Sequence, residues 1–519
     1  MMHLGDWTAY WARRTPDALA VVDVATARRW TYRELDRAAN RLAHGLDQVC
    51  GVGRGDRVAL LAHNSADHFV LLFACAKLGA LLAPLNWRLA PRELDEVLAD
   101  ADPKALFYDD ACAATTAALT APVAHRAALG RASAGGFEAA ARLSAPSSDA
   151  PAGDPAVGLE DPLLLCYTSG TTGRPKGALL SHRQLLFNSL STELAIGLSS
   201  RDSTLVFMPL FHTGGLNCLA TPILHHGGKV VVMPAFDAER ALRVSAEERV
   251  TVQMGVPTIF ELLRDAPSFR SADLSSTRMA LCGGAPCPLP LIETYRERGV
   301  LFRQGYGLTE VGPNCFSLVE ADAFRKAGSV GWPNFYLCAR IIDDAGASCA
   351  DGEAGELVLG GPMVTLGYFR NPAATEEAFR GTSWFHTGDQ VLRDPEGYHY
   401  IVGRKKDMFI SGGENVYPAE VEQALLQVGG VAEVCVIGVA DERWGEVGRA
   451  VVVARPEARL DERALLAALD GRLARYKIPK SVAFADALPR NASGKILRAQ
   501  VREHHGHDAT ASKSRKDRT

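Results

Sequence analysis

Residues 167–177 read Tyr-Thr-Ser-Gly-Thr-Thr-Gly-Arg-Pro-Lys-Gly, placing three glycines and four aliphatic hydroxyls around Lys176. A turn of this composition bares its backbone N–H groups, adds hydroxyl donors and keeps side-chain bulk low. A polyphosphate asks for that combination, and Lys176 adds positive charge. The candidate phosphate contacts are Thr168, Ser169, Gly170, Thr171, Thr172 and Lys176. The stretch is not a Walker A loop. In that motif Gly-Lys is followed by Ser or Thr and a helix, whereas Lys176 stands between Pro175 and Gly177.

Four more stretches carry chemistry. Residues 304–310, Gln-Gly-Tyr-Gly-Leu-Thr-Glu, set Thr309 and Glu310 beside the Tyr306 ring, with glycines that let a ligand approach the backbone. Hard cations such as Mg²⁺ take oxygen ligands, commonly one or two carboxylates plus phosphates; Glu310 suits that part, and Tyr306 suits stacking on a base. Residues 384–389 end in Gly388-Asp389, where the carboxylate reads as an acceptor for ribose hydroxyls or as a turn aspartate. Residues 403–407, Gly-Arg-Lys-Lys-Asp, gather basic charge, which also reads as a solvated linker. Near the C-terminus Lys495 follows the flexible Asn491-Ala492-Ser493-Gly494 turn. Taken singly, each is also consistent with an ordinary turn or an exposed charge.

These residues need a frame. Leu163-Leu164-Leu165-Cys166, just before the Gly/Ser/Thr turn, reads as a short buried strand. Leu35, Ala38, Ala39, Leu42, Ala43 and Leu46 recur at helical spacing, which predicts an amphipathic helix over 32–46. Strands are expected at 57–61, 79–84, 205–208 and 229–233, with helices between them. That alternation implies parallel sheets covered by helices. Residues 132–158, rich in Ala, Ser, Gly and Pro, read as a surface excursion. After Gly355 the texture changes to shorter, antiparallel strands at 356–359 and 397–402. From Lys406 a smaller unit follows: a helix over 418–427, strands at 433–439 and 450–454, and a helix over 462–473. Residues 505–519 lack apolar anchors and are expected to be disordered.

Composition narrows the classes. The chain has 519 residues, 47% hydrophobic and 22% charged, with a net charge of −4. That length suggests more than one domain, and the charge advertises no nucleic-acid-binding surface. Eleven scattered cysteines without a Cys-x-x-Cys pair point to reduced thiols in a cytoplasmic protein, not to a disulfide frame or zinc site. The most apolar run, 69–85, contains Lys77, Gly79 and Pro84; it reads as a buried helix leading into a strand, not as a membrane span.

Five motifs in this order and spacing resemble the adenylate-forming superfamily of acyl-CoA synthetases, peptide-synthetase adenylation domains and luciferases. The resemblance covers about residues 7–501. It implies an α/β fold: a large N-terminal domain of helix-covered sheets with a small β-barrel-like region over 1–404, a small mobile α+β lid over 405–504, and a tail over 505–519. It further implies formation of an acyl-adenylate from a carboxylic acid and ATP with Mg²⁺, then transfer to a thiol. Residue by residue, it assigns 168–176 to the β- and γ-phosphates, Thr309 to the α-phosphate, and Glu310 with Thr168 to the metal. Gly283, Gly284, Ala285 and Tyr306 become the adenine wall, Asp389 and Arg404 the ribose contacts. Lys495 becomes the catalytic lysine on the lid, and Lys406 the hinge.

The second half-reaction separates the branches. Trp444 in Asp-Glu-Arg-Trp-Gly-Glu, and Tyr476 and Lys480 in Arg-Tyr-Lys-Ile-Pro-Lys, resemble segments that meet CoA. An acyl carrier protein as thiol donor is the alternative. Phe187, Phe211, His212, Asn217, Cys282 and Gly305 resemble the acyl-site wall, with His212 also a catalytic candidate. With Phe211 and the small Gly305, an aromatic acid of benzoate, anthranilate or cinnamate type fits about as well as a fatty acid. The expected partners are small molecules, with no nucleic acid or membrane, and the protein is expected as a monomer or homodimer. A non-catalytic nucleotide-binding module is disfavoured because Lys495 and Glu310 are both present.

Overall fold

The computed structural model describes residues 5–129, 138–139, 148–168, 176–284, 287–411, 414–491 and 495–506. Ser169, Gly170, Thr171, Thr172 and Ala285, most of the 132–158 excursion and the tail beyond Gly506 lie outside the described residues.

Local signals set the first elements. Thr31 caps the helix Tyr32–Cys50 through a reciprocal capping box with Glu34, and Gly51 ends it in the left-handed region, φ 61. The helix Asp67–Leu78 is buried along its whole length from His68 to Lys77. Such a helix has no solvent face, so it must lie inside the fold. One core cluster joins it to Leu60 and Leu82 of one sheet and to Val206 and Val230 of another. Gly79, at φ 67, closes the helix, and the next strand therefore begins at Leu81, two residues later than the apolar run suggests.

The first sheet has seven strands, in the order Glu138–Ala139, His125–Ala128, Ala105–Tyr108, Arg57–Leu61, Leu81–Pro84, Pro162–Thr168 and Lys176–Ser181. Its pairs are parallel except the last, Pro162–Thr168 with Lys176–Ser181, which is antiparallel. The second has nine strands and a parallel centre: Ser203–Val206, Lys229–Val232, Val252–Gly255, Met279–Cys282 and Leu301–Leu308. Gly312–Ser317 folds back antiparallel on Leu301–Leu308. The β-barrel-like region is a four-stranded antiparallel sheet of Cys338–Ile342, Gly355–Gly360, Phe385–Arg393 and His399–Arg404. The last sheet draws only on strands between Phe409 and Phe484.

Two expectations fail in the C-terminal unit. The helix expected over 462–473 stops at Ala467. Leu465 and Leu469 are both buried at helical spacing, but Gly471 takes φ 72, a conformation that breaks a helix. His505 is not part of a loose tail: it ends the helix Arg498–His505, and its carbonyl accepts from Arg449 Nη1 at 2.8 Å.

The charge inside the apolar run is matched. Lys77 Nζ donates to Asp6 Oδ1 and to Asp36 Oδ1, each at 2.8 Å, with the lysine side chain 1% exposed. No described helix is long and apolar enough to cross a membrane.

Candidate active site

Parallel sheets bind ligands beyond the carboxyl ends of their strands, and the motif residues gather there. Gly255 pairs with Cys282, and Cys282 with Gln304, so the parallel pairing ends there: the chain leaves one strand at Gly283-Gly284, while Gly305 and Tyr306 continue the next strand and pair antiparallel with Ser317 and Phe316. Gly284 has φ 82. A Cβ on Gly307 would stand 2.2 Å from the Pro313 main chain; the hairpin that presents Thr309 and Glu310 closes only with glycine there. The Gln184 Nε2 amide donates to the Thr309 carbonyl at 3.2 Å and ties this turn to the helix His182–Ile196.

Asp389 and Arg404 face each other across the four-stranded sheet. Arg404 Nε donates to Asp389 Oδ1 at 2.9 Å, and the Tyr306 hydroxyl donates to Asp389 Oδ2 at 2.6 Å. Burial, reinforced by Asp389, raises the Tyr306 hydroxyl far above its ordinary range, so it stays a donor. Each carboxylate oxygen keeps a further lone pair, enough to accept from vicinal hydroxyls. Tyr306 is thus brought to the Asp389 group.

Between the last two strands of the first sheet, Thr168 Oγ1 donates to the Lys176 carbonyl at 3.3 Å. The Lys176 ammonium lies 5.5 Å from the centre of the Tyr368 ring and 3.8 Å from Glu377 Oε2. The Tyr368 hydroxyl donates to Glu310 Oε1 at 2.9 Å. Burial raises the Glu310 carboxyl above the ordinary carboxylate range, against a weaker pull from Tyr368 and Arg404. A partly buried carboxylate whose side-chain hydrogen bond comes from a neutral hydroxyl is short of positive charge. Its oxygen donors, with the Thr168 hydroxyl, fit a hard divalent cation.

Lys495, in the C-terminal unit, lies within electrostatic reach of Arg404 and Asp389. Its main chain pairs with Asn491: Lys495 N donates to Asn491 Oδ1 at 2.9 Å, and its carbonyl accepts from Asn491 N at 2.8 Å. The side chain keeps access to solvent, so water screens it in part. Even so, burial of the ammonium in the cleft and the nearby Arg404 lower its pKa to about 8, while Asp389 and Asp407 oppose them. It is also coupled electrostatically to His212, whose pKa is lowered by burial and by Lys495, leaving a neutral imidazole at pH 7. Three residues on, Arg498 donates to the Val436 carbonyl at 3.1 Å, to Asp407 Oδ2 at 3.1 Å and to Glu422. That bracket ties the lysine loop to the segment just after Lys406, which sits exposed in the turn following His399–Arg404.

The acyl-wall candidates separate. Phe211 and Cys282 are buried near His212 and Gly283. A Cβ on Gly214 would meet only Met254 Cε, at 3.8 Å, and one on Gly283 only the Gly305 carbonyl oxygen, at 3.5 Å, so neither glycine is tightly packed, whereas a Cβ on Gly305 would stand 3.0 Å from the Phe316 carbonyl oxygen. Asn217 spends its amide inside its own helix, donating to Thr213 Oγ1 and accepting from Thr221 Oγ1, both at 3.1 Å. It shapes the wall and has little left to read a ligand. Phe187 packs its ring 5.1 Å from Tyr336. Trp444, Tyr476 and Lys480 are exposed on the lid, and the rings contact the neighbouring Arg443 and Lys477.

A cavity of ≈ 210 Å³ lies where lid and body meet, lined among others by Trp87, Arg88, Met208, Pro209, Val256 and Arg490. Tyr368, Trp87, Arg88 and Arg498 carry no sequence signal of their own and emerge only from the folded contacts. Among the described residues, His63, Asp109 and Cys112 also form a trio of metal-type side chains. Asp109 Oδ2 accepts from His63 N at 2.7 Å and from His63 Nδ1 at 2.8 Å, while Oδ1 accepts from Cys112 N at 2.8 Å. Those bonds account for the trio as a cap on the short turn Asp110–Cys112.

Comparisons with known proteins show the family. The AMP-binding enzyme family model matches residues 8–369, and the AMP-binding enzyme C-terminal domain matches 420–495. The chain is 46% identical over 503 residues to a feruloyl-CoA synthase of Amycolatopsis sp, covering 97% of this chain and 99% of that one. It is 39% identical to the long-chain-fatty-acid–CoA ligase FadD13 of Mycobacterium tuberculosis, covering 97% and 99%. The solved anthranilate CoA ligase AuaEII, in complex with anthranoyl-AMP, superposes with a TM-score of 0.88 at 28% identity over 98% of both chains. The chain belongs to the AMP-binding enzyme family, in the acyl-CoA synthetase branch of the adenylate-forming superfamily.

Proposed function

We propose that this protein joins an aromatic carboxylic acid to CoA in two half-reactions, with 1–404 as the body and 405–504 as the lid. In the first, an acid carboxylate oxygen attacks the ATP α-phosphorus and pyrophosphate leaves. In the second, the CoA thiol attacks the acyl carbonyl and AMP leaves. One observation carries the reading: Lys495, close to the C-terminal end of the chain, is electrostatically coupled to His212, Asp389 and Arg404 together.

Two anions must meet, so fixed positive charge and orientation supply the catalysis. Asp389, held by Tyr306 and Arg404, receives the ribose. Lys176 and the turn after Thr168 hold the outer phosphates, and Thr309 the α-phosphate. Lys495 neutralises charge where carboxylate and α-phosphate join. Neutral His212 lines the acid site without competing for that charge. Mg²⁺, held by Glu310 and the phosphates, would supply further charge compensation on the nucleotide.

An aromatic acid is favoured by the room at Gly214 and Gly283, where an added Cβ would meet one atom at ordinary contact distance, and by the substrates named for the feruloyl and anthranilate relatives. The cavity under Arg490 abuts Met208-Pro209, next to Phe211-His212, and offers a thiol a path to the acyl carbonyl. Trp444, Tyr476 and Lys480 would take up the CoA nucleotide after the lid turns about Lys406. A panel of aromatic and fatty acids with ATP and CoA, read by AMP release, tests the reading; preference for alkyl acids would overturn the aromatic assignment.

Two predictions follow from the site. Lys406→Pro fixes the backbone at the turn. It should leave pyrophosphate exchange within about twofold and slow thioester formation by roughly tenfold or more; equal loss in both half-reactions would remove the hinge role. The kcat/KM of exchange should be bell-shaped in pH. Lys495 acts in its charged form, so activity falls as pH rises through about 8. Glu310 acts ionised, so the acid limb lies above the ordinary carboxylate range. Lys495→Arg should abolish the alkaline limb; its persistence would assign that limb to another group.

A further inference from the structure

The segment carrying Tyr368 straps two parts of the site together. Along one edge it runs antiparallel to the strand leaving the phosphate turn: Leu179 N donates to the Gly367 carbonyl at 2.9 Å, Leu366 N to the Leu179 carbonyl at 3.1 Å, and Phe369 N to the Gly177 carbonyl at 2.8 Å. On the other side Thr365 N donates to the Glu310 carbonyl at 2.7 Å. Gly367 takes φ 117, and a Cβ there would stand 2.6 Å from Thr375 Cγ2, so the turn that aims the next side chain admits only glycine. The Tyr368 N–H is then fixed by Thr375 Oγ1 at 2.9 Å.

From this position Tyr368 uses both ends of its side chain. The hydroxyl donates to Glu310 Oε1 at 2.9 Å, and the ring lies 5.5 Å from the Lys176 ammonium. Among the described residues no ion pair joins Lys176 to Glu310; the carboxylate within ion-pair range of Lys176 is the exposed Glu377. A ring face attracts a cation, and a hydroxyl bond to an ionised carboxylate is stronger than one between neutral groups. One side chain therefore holds the cation near the phosphate turn and orients the carboxylate near the metal.

Resting on the nucleotide site proposed above, we propose that Tyr368 is a positioning residue: its hydroxyl sets the Glu310 carboxylate for the divalent cation of the metal–ATP complex, and its ring separately seats Lys176 against the phosphates. Two substitutions split these roles. Tyr368→Phe keeps the ring and deletes the hydroxyl; Tyr368→Leu removes both.

The full chain is titrated with Mn²⁺ in the presence of ATP, followed by electron paramagnetic resonance, and with ATP alone in chelator by calorimetry. Thermal melting confirms folding. Tyr368→Phe should weaken Mn²⁺ binding by roughly tenfold, the scale of one hydrogen bond to a charged group, while changing metal-free ATP binding by less than about twofold. Tyr368→Leu should weaken both Mn²⁺ and ATP. Unchanged Mn²⁺ affinity in a folded Tyr368→Phe protein overturns the proposal, as does equal weakening of Mn²⁺ and ATP by that variant. Should Tyr368→Leu not fold, Tyr368→Phe alone decides. A wild-type chain that binds neither ATP nor Mn²⁺–ATP would remove the nucleotide site itself, a failure separable from that of Tyr368.

Discussion

Replacing Lys495 by alanine is expected to slow acyl-adenylate formation by roughly 10²–10³-fold, the scale for removing one preorganised charge donor from a transition state. The geometry explains why nothing nearby substitutes for it. Arg404 is engaged with Asp389 at 2.9 Å, Lys176 lies at the phosphate turn over Tyr368, and His212 is neutral at pH 7. The lid delivers Lys495 at a cost: its ammonium is lowered to about 8 by burial and by Arg404. A group held partly against its charged form gains most when negative charge builds beside it. Thiolysis of a supplied acyl-adenylate should be spared, because that step follows the one Lys495 serves. Isotope exchange between pyrophosphate and ATP measures the first step, and CoA-dependent loss of added acyl-adenylate the second. Parallel loss in both would show that the lysine holds the lid together instead of acting on the reaction.

The largest stability effect is expected far from the chemistry. Lys77→Met leaves Asp6 and Asp36 buried without their cation, and breaking a buried pair in this way costs about 3–5 kcal/mol. The urea midpoint should fall accordingly, with the exchange rate per folded molecule unchanged. Adding Asp6→Asn and Asp36→Asn should recover part of the loss, since no unpaired carboxylate then remains inside. A single Lys77→Met variant within about 1 kcal/mol of wild type would mean that water reaches the carboxylates and that the helix Trp7–Arg14, capped by Asp6, does not seal this part of the core.

Much of the frame is legible in the sequence because it follows from local physics. The Thr31–Glu34 capping box and the spacing from Leu35 to Leu46 fix the first long helix. The apolar run with one lysine reads as a buried helix and strand, though the partners of Lys77 lie 71 and 41 residues away and leave no local trace. The helix Arg498–His505 went unseen because it buries only Val501, too little to give a period. The strand Ser481–Phe484, parallel to Gly445–Ala454, is four residues long and follows Pro479.

The site shows the same division. Thr168, Lys176, Tyr306, Glu310, Asp389, Arg404 and Lys495 announce themselves through glycine-rich surroundings and their order along the chain. Tyr368 meets Glu310 across 58 residues, and Tyr306 meets Asp389 across 83. Such pairings come from how the sheets pack, and no spacing rule reports them. Asn217 shows the converse: a polar residue in a motif-like run whose amide is spent within its own helix.

The most direct test of the account is pyrophosphate–ATP exchange by the intact chain, without CoA, across a panel of carboxylic acids. The account predicts exchange that depends on an aromatic acid, vanishes without one, and becomes stoichiometric AMP release once CoA is added. No exchange with any acid, or AMP release that ignores which acid is present, would contradict it.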